Sequence, residues 1–188
     1  MHQDAQDASI LLVDDMEDNL VALEAVLAAL QVPLVRAQSG EEALRAVRRR
    51  EFAVVLLDVL MPGMDGFETA ARIKRLDHAK DTPIVFLTGT ETSNDAGYAF
   101  RGYATGAVDY LTKPFDPWVL RTKVAVFLEL HRKNRQLRRL QDEHEERLRD
   151  VESRLQAVER EFAGGAGTAR LAERIGELAA SMRALRGG

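Results

Sequence analysis

Three short, uninterrupted apolar runs constrain this chain more than any other feature: 9–13 (SILLV), 53–57 (AVVLL) and 83–87 (PIVFL). Runs of this length, rich in β-branched residues, read as strands of a parallel sheet buried on both faces. Weaker strands are predicted at 33–37 (PLVRA) and 107–111 (AVDYL). Helix-period stretches lie between them: 17–30 with Leu20, Leu23, Val26, Leu27 and Leu30; 40–50 with Leu44 and Val47; 66–76 with Phe67, Ala70, Ile73 and Leu76. Strand alternating with helix is the pattern of a doubly wound α/β layer, because each parallel crossover needs a helix. Five strands and five helices fit residues 8–130, preceded by a disordered segment, 1–7. The fourth helix is expected to be short, since Gly89, Gly97, Gly102 and Gly106 each cost it about 1 kcal/mol relative to alanine. Tyr98, Phe100 and Tyr103 in that stretch read as packing residues.

With 188 residues, 46% apolar and 30% charged, the chain has room for one full core and a smaller appended element. It contains no cysteine, which excludes disulfides, thiolate nucleophiles and Cys-based metal sites. No apolar run reaches the roughly 20 residues of a membrane span. The polar start MHQDAQDAS is unlike a signal peptide, so a cytoplasmic location is expected. Charge is uneven: residues 1–130 carry 20 acidic and 13 basic side chains, net −7, and residues 131–188 carry 10 and 13, net +3. Neither value makes nucleic acid the default partner.

From Asp116 to Phe162 the periodicity is helical, about 47 residues or roughly 70 Å if unbroken, far more than a domain helix needs. Positions 127, 130, 134, 137, 141, 144, 148, 151, 155, 158 and 162 alternate by three and four, a heptad seam. Its predicted dimer-forming members are Asn134, Leu137, Leu148, Val151, Leu155, Val158 and Phe162, with Asn134 at an a position where a polar residue fixes register. The register is not unique, since Leu140 competes with Gln141 for the seam, and a stutter is one reading of this. A coiled coil is therefore predicted over 131–162, continuous with the fifth helix. A Gly-rich break at 163–168 and a short amphipathic helix at 169–186 follow.

In open α/β sheets, ligands bind beyond the carboxyl ends of the strands. Asp14 and Asp15 follow the first strand, Asp58 the third, Thr88 the fourth and Lys113 the fifth, so all five converge on one sheet edge. Carboxylates ~5 Å apart at an effective dielectric of about 20 repel by on the order of 3 kcal/mol per pair. A divalent cation or protonation must relieve this, and without cysteine the oxygen ligands point to Mg2+. Such a cluster is prepared for a phosphoryl group: a carboxylate can accept it as an aspartyl phosphate, while the metal, an ammonium and a hydroxyl meet the charge on its oxygens.

Taken together, Val13-Asp14-Asp15, residues 57–66 (LDVLMPGMDG), Leu87-Thr88 and residues 109–115 (DYLTKPF) resemble the receiver domain of bacterial two-component response regulators over residues 8–130. The resemblance implies a flavodoxin-like sheet of order 2-1-3-4-5, with Asp58 as phosphoacceptor and Mg2+ held by Asp15, Asp58 and the Leu60 carbonyl, and by Asp14 mainly through a metal-bound water. It also implies that Thr88 and Lys113 bind the phosphoryl oxygens, that Tyr110 is a switch aromatic coupled to Thr88, and that Lys113-Pro114 is cis. The implied partners are a sensor histidine kinase or phosphotransfer protein and a downstream protein effector, with no enzymatic activity beyond phosphorylation and dephosphorylation at Asp58. Asp116-Pro117, Leu120-Arg121 and Lys123-Val124 resemble the helix that follows receivers in some hybrid sensory proteins.

Other residues carry plainer readings. Met61, Pro62 and Met64 read as loop geometry and packing, Gly66 as a point of close backbone approach, and His144 as a polar seam residue. The basic run Arg132, Lys133, Arg135, Arg138 and Arg139 is followed at once by 142–146 (DEHEE), which favours a solvated helix face over a DNA contact. Two alternatives stand beside the signalling switch: a nucleic-acid-binding regulator acting through the basic tail, and the receiver portion of a larger hybrid kinase, phosphatase or nucleotide cyclase.

Overall fold

Each of the five predicted strands forms, and all are parallel. The computed structural model describes residues 8–89, 109–163 and 175–177. The expected disordered segment 1–7, the expected fourth helix with Tyr98, Phe100 and Tyr103, most of the expected Gly-rich break and last helix, and the Phe162 side chain lie outside the described residues. In chain order the elements are β1 Ile10–Val13, α1 Glu17–Leu27 with a 3-10 turn Ala28–Leu30, β2 Leu34–Ala37, α2 Gly40–Arg49, β3 Val54–Asp58, α3 Gly66–Lys74, β4 Ile84–Gly89, β5 Asp109–Lys113, and a long helix Pro117–Ala163. The sheet order is β2-β1-β3-β4-β5. This is the flavodoxin-like arrangement expected from the resemblance.

Alternation along the strands builds two cores. Leu11, Val13, Val55, Leu57 and Phe86 pack against Ala43, Leu44 and Val47 of α2 and Phe67, Ala70 and Ile73 of α3. Ile10, Leu12, Val54, Leu56, Val85 and Leu87 pack with Leu20, Leu23 and Leu27 of α1 and Leu120, Val124 and Leu128 of the long helix. Each large side chain buried this way contributes about 1.5–3 kcal/mol. Met61 and Met64 are buried in the first core, in keeping with a packing role.

Local chemistry starts the helices. The Ser39 hydroxyl accepts from the Glu42 amide at 3.2 Å and caps α2, and Asp65 accepts from the Glu68 amide at 2.7 Å and caps α3. Asp116 accepts from the Trp118 amide at 2.7 Å, and Pro117 occupies the first position of the long helix, where its missing N–H costs nothing. A Cβ on Gly66 would collide with the Asp58 carbonyl oxygen and come within 2.9 Å of the Val59 Cα. Glycine thus lets α3 start directly against the end of β3, where the Gly66 amide donates to the Val59 carbonyl at 2.9 Å.

The chain divides into two compact units, Met1–Lys133 and Asn134–Gly188. In the first, Phe127 is half-buried and packs against the core that holds Leu120, Val124 and Leu128. In the second, the described part of the long helix leaves Leu137, Leu148 and Leu155 exposed, while Val151 and Val158 are half-buried. Among the described residues, no helix is long and apolar enough to cross a membrane.

Candidate functional site

Strand register sets the site. Val13 pairs with Leu57, which makes Asp14 the next residue level with Asp58. Asp58 in turn pairs with Leu87, Thr88 with Thr112, and Gly89 with Lys113. Ends of four neighbouring strands are therefore flush, and the residues at those ends share one edge.

Lys113 joins two of the three acids. Its Nζ lies 2.7 Å from Asp14 Oδ2 and 2.6 Å from Asp58 Oδ1. Asp14 is 1% exposed, and its Oδ1 accepts from the Met16 amide at 3.0 Å and from Asn19 Nδ2 at 2.8 Å. Asp58 is buried, whereas Asp15 is exposed and makes no side-chain hydrogen bond or ion pair among the described residues. Thr88 is buried near the end of β4. Leu60 is 56% exposed just beyond Asp58, and Met16 is similarly exposed beyond Asp15. Tyr110 sits on β5 with its ring centroid 5.3 Å from that of Phe86, and Lys113-Pro114 is cis.

Burial pushes the Asp58 carboxyl above the ordinary aspartate range; its hydrogen bond and attraction to Lys113 pull the other way, and the charges of Asp14 and Asp15 add to the rise. For Lys113, burial acts to lower the pKa, but hydrogen bonds and attraction from Asp14 and Asp58 outweigh it and hold the ammonium above its ordinary value. The mutual repulsion anticipated among the acids is relieved between Asp14 and Asp58 by this lysine.

The donor set also fits a hard cation. Asp14 Oδ2 and Asp58 Oδ1 are within hydrogen-bond reach of one nitrogen, so a single positive centre can bridge them, and Asp15 adds a third carboxylate near enough for its charge to act on Asp58. Oxygen-only donors of this kind suit Mg2+. As placed, no group of three or more His, Asp or Glu among the described residues is close enough to hold an ion. The ammonium of Lys113 takes the bridging position between Asp14 and Asp58.

Sequence reading missed two contacts here. Asn19 reaches back five residues to Asp14, and Lys123 of the long helix pairs with Asp109 of β5. The only signals were an amide in the first turn after the acidic pair and a basic residue one helical period from buried Leu120.

Residues 10–125 match the family model for the response regulator receiver domain. The chain is 35% identical over 127 residues to a probable cyclic di-GMP phosphodiesterase of Vibrio cholerae, an alignment covering 68% of this chain and 28% of that protein. It is 38% identical over 117 residues to the response regulator PleD of Caulobacter vibrioides, covering 62% and 25%. The chain thus spans roughly a quarter of the length of these curated relatives. Among solved structures, the chemotaxis protein CheY4 of Vibrio cholerae superposes with a TM-score of 0.59 at 31% identity, covering 64% of this chain and 98% of that one.

Proposed function

This chain belongs to the response regulator receiver domain family, and on that premise we propose that it acts as a two-component switch that takes a phosphoryl group from a histidine kinase or phosphotransfer protein onto Asp58. The observation that carries the assignment is the shared lysine: Lys113 bridges Asp14 and Asp58 at the ends of β1, β3 and β5. An Asp58 carboxylate oxygen attacks the phosphorus of a phosphohistidine. The P–N bond breaks, the imidazole nitrogen keeps the electron pair, and an acyl phosphate forms. Lys113 then turns from the carboxylate to a phosphoryl oxygen, and the Thr88 hydroxyl donates to another. Asp14, Asp15, Asp58 and the Leu60 carbonyl would hold Mg2+, which when bound neutralises charge on the phosphoryl oxygens. Exposed Met16 and Leu60 flank the site and offer apolar contact to a docking partner.

The phosphoryl group adds a charge of about −1.5 to −2. Its effect passes through Thr88, Tyr110 and Lys113 to the face formed by the expected fourth helix, β5 and the long helix, in a cytoplasmic homodimer joined through Asn134, Leu137, Leu148, Val151, Leu155, Val158 and Phe162 that acts on a downstream protein. Exposed Leu137, Leu148 and Leu155 at heptad spacing support the pairing. Acetyl phosphate with Mg2+ labels the wild type in this reading, and labelling that persists in Asp58→Asn overturns it. A second reading, the receiver portion of a larger enzyme, is favoured by the relative described as a probable cyclic di-GMP phosphodiesterase, of which this chain spans 28%. Sequencing the gene through to its stop codon decides between the two.

A further inference from the structure

We infer that Asn19 is a positioning residue of this site: through Asp14 it fixes where the Lys113 ammonium stands in front of Asp58. The inference rests on the reading of Asp58 as phosphoacceptor for its functional meaning, but not for its geometry.

Asp14 is the most fully occupied acid of the cluster. Its Oδ1 takes the Met16 amide at 3.0 Å and Asn19 Nδ2 at 2.8 Å, while Oδ2 takes Lys113 Nζ at 2.7 Å. Asp58, by contrast, has Lys113 alone among the described residues, at 2.6 Å. A carboxylate can turn about its last torsion, a broad and shallow one. Two N–H groups on one oxygen oppose that turn, leaving the other oxygen to face the lysine. The Met16 amide follows from the local turn, only two residues away. Asn19 is the independent restraint, because it comes from a separate element.

That element is anchored on the sheet. Asn19 lies in the first turn of α1, where its own amide donates to the Met16 carbonyl at 3.1 Å. The adjacent Leu20, with Leu23 and Leu27, anchors α1 in the core, and Arg36 of β2 pairs with both Glu17 and Glu24 on the same helix. The charge type is also selective. An amide donates to Asp14 without adding charge, whereas aspartate there would repel Asp14 and lysine would compete with Lys113. Groups that orient a ligand from behind typically change metal affinity by about 10–100-fold when removed.

The test uses the full chain with lysine side-chain nitrogen NMR and Mg2+ titration calorimetry. Asn19→Ala is expected to shift the Lys113 Nζ resonance and weaken Mg2+ binding about 10-fold, while core methyl resonances stay in place. Asn19→His, which can still present an N–H near the same point, is expected to restore both. If Asn19→Ala does not fold, Asn19→Leu, of similar size with neither donor nor charge, must show the shift that Asn19→His lacks. A Lys113 resonance and Mg2+ affinity unchanged within twofold in the donor-less variant, or no restoration by Asn19→His, overturns the inference. Labelling that survives Asp58→Asn would instead remove the phosphoacceptor assignment, and the Lys113 resonance, read without any phosphoryl group, would still decide the role of Asn19.

Discussion

Lys123 Nζ lies 2.5 Å from Asp109 Oδ2, tying the long helix to the first residue of β5. Asp109 Oδ1 also accepts the Tyr110 amide at 2.8 Å, so one carboxylate holds the strand and the helix together. The side chains are 36% and 28% exposed, between a surface pair and a buried one. Their coupling should be about 1 kcal/mol, near the upper end for exposed pairs. A double-mutant cycle of Lys123→Met and Asp109→Asn, read by urea unfolding, measures it directly. Coupling near zero would deny the pair a part in joining β5 to the helix.

Lys113 and Asp58 should answer removal with opposite signs. Lys113→Met leaves the buried Asp14 and Asp58 carboxylates facing one another without a cation, a loss of about 3–5 kcal/mol in metal-free buffer. Asp58→Asn removes a charge that burial disfavours and leaves Lys113 its Asp14 partner, so stability rises. Denaturant midpoints of the two variants against wild type check the pair of signs.

The pH dependence follows from the same two groups. Asp58 titrates above its ordinary value of 3.8, so between that value and the folded one the native state binds more protons than the unfolded chain. Stability therefore falls as pH rises through this window and levels off above it. Lys113, held above its ordinary 10.5, contributes stability that is complete below 10.5 and is lost as pH rises through its higher folded value. In EDTA, the acidic decline should vanish in Asp58→Asn, and the alkaline loss in Lys113→Met. Unfolding free energies of the three proteins across pH supply the comparison.

Gly66→Ala tests how the backbone sets the acid. The new Cβ would meet the Asp58 carbonyl, a backbone atom that cannot swing aside. Relief must come from moving α3 away from β3 at about 1–3 kcal/mol, with Asp58 displaced in the process. Thermal unfolding and Mg2+ affinity should both fall; a drop in stability with affinity intact would show that α3 alone absorbs the strain.

How far the sequence could be read depended on whether a residue's surroundings repeat along the chain. Ile10–Val13 and Val54–Asp58 are buried at every position, so unbroken apolar runs announced them. β5 was harder to place: Asp109, Tyr110, Thr112 and Lys113 are only half-buried on the last strand of the sheet, and the strand ends two residues past the expected stretch. Strand ends made Asp14, Asp58 and Lys113 legible as a group. Asn19 and Lys123 were not, because their contacts depend on the angle at which a helix docks on the sheet. Phe127 fell between two periods. The core face of the long helix runs Leu120, Val124, Leu128 in steps of four residues, and a seam averaging 3.5 drifts across such a face, so Phe127 satisfies the seam spacing and also packs against the core.

Beyond that crossover, the seam itself predicts self-association. Leu137 is 58% exposed, and Leu148 and Leu155 are each 44% exposed, so three large apolar side chains at heptad positions meet solvent in the single chain. Covering one such side chain contributes about 1.5–3 kcal/mol when burial is complete. Leu148→Lys with Leu155→Lys would place two charges per chain in the paired seam, removing that gain from both partners and adding like-charge repulsion. Light scattering of the full chain should report a dimer for the wild type and a monomer for the double variant at the same concentration, with urea unfolding of the Met1–Lys133 unit unchanged. A wild type that stays monomeric at high micromolar concentration, with or without a phosphoryl mimic, would refute pairing through this seam.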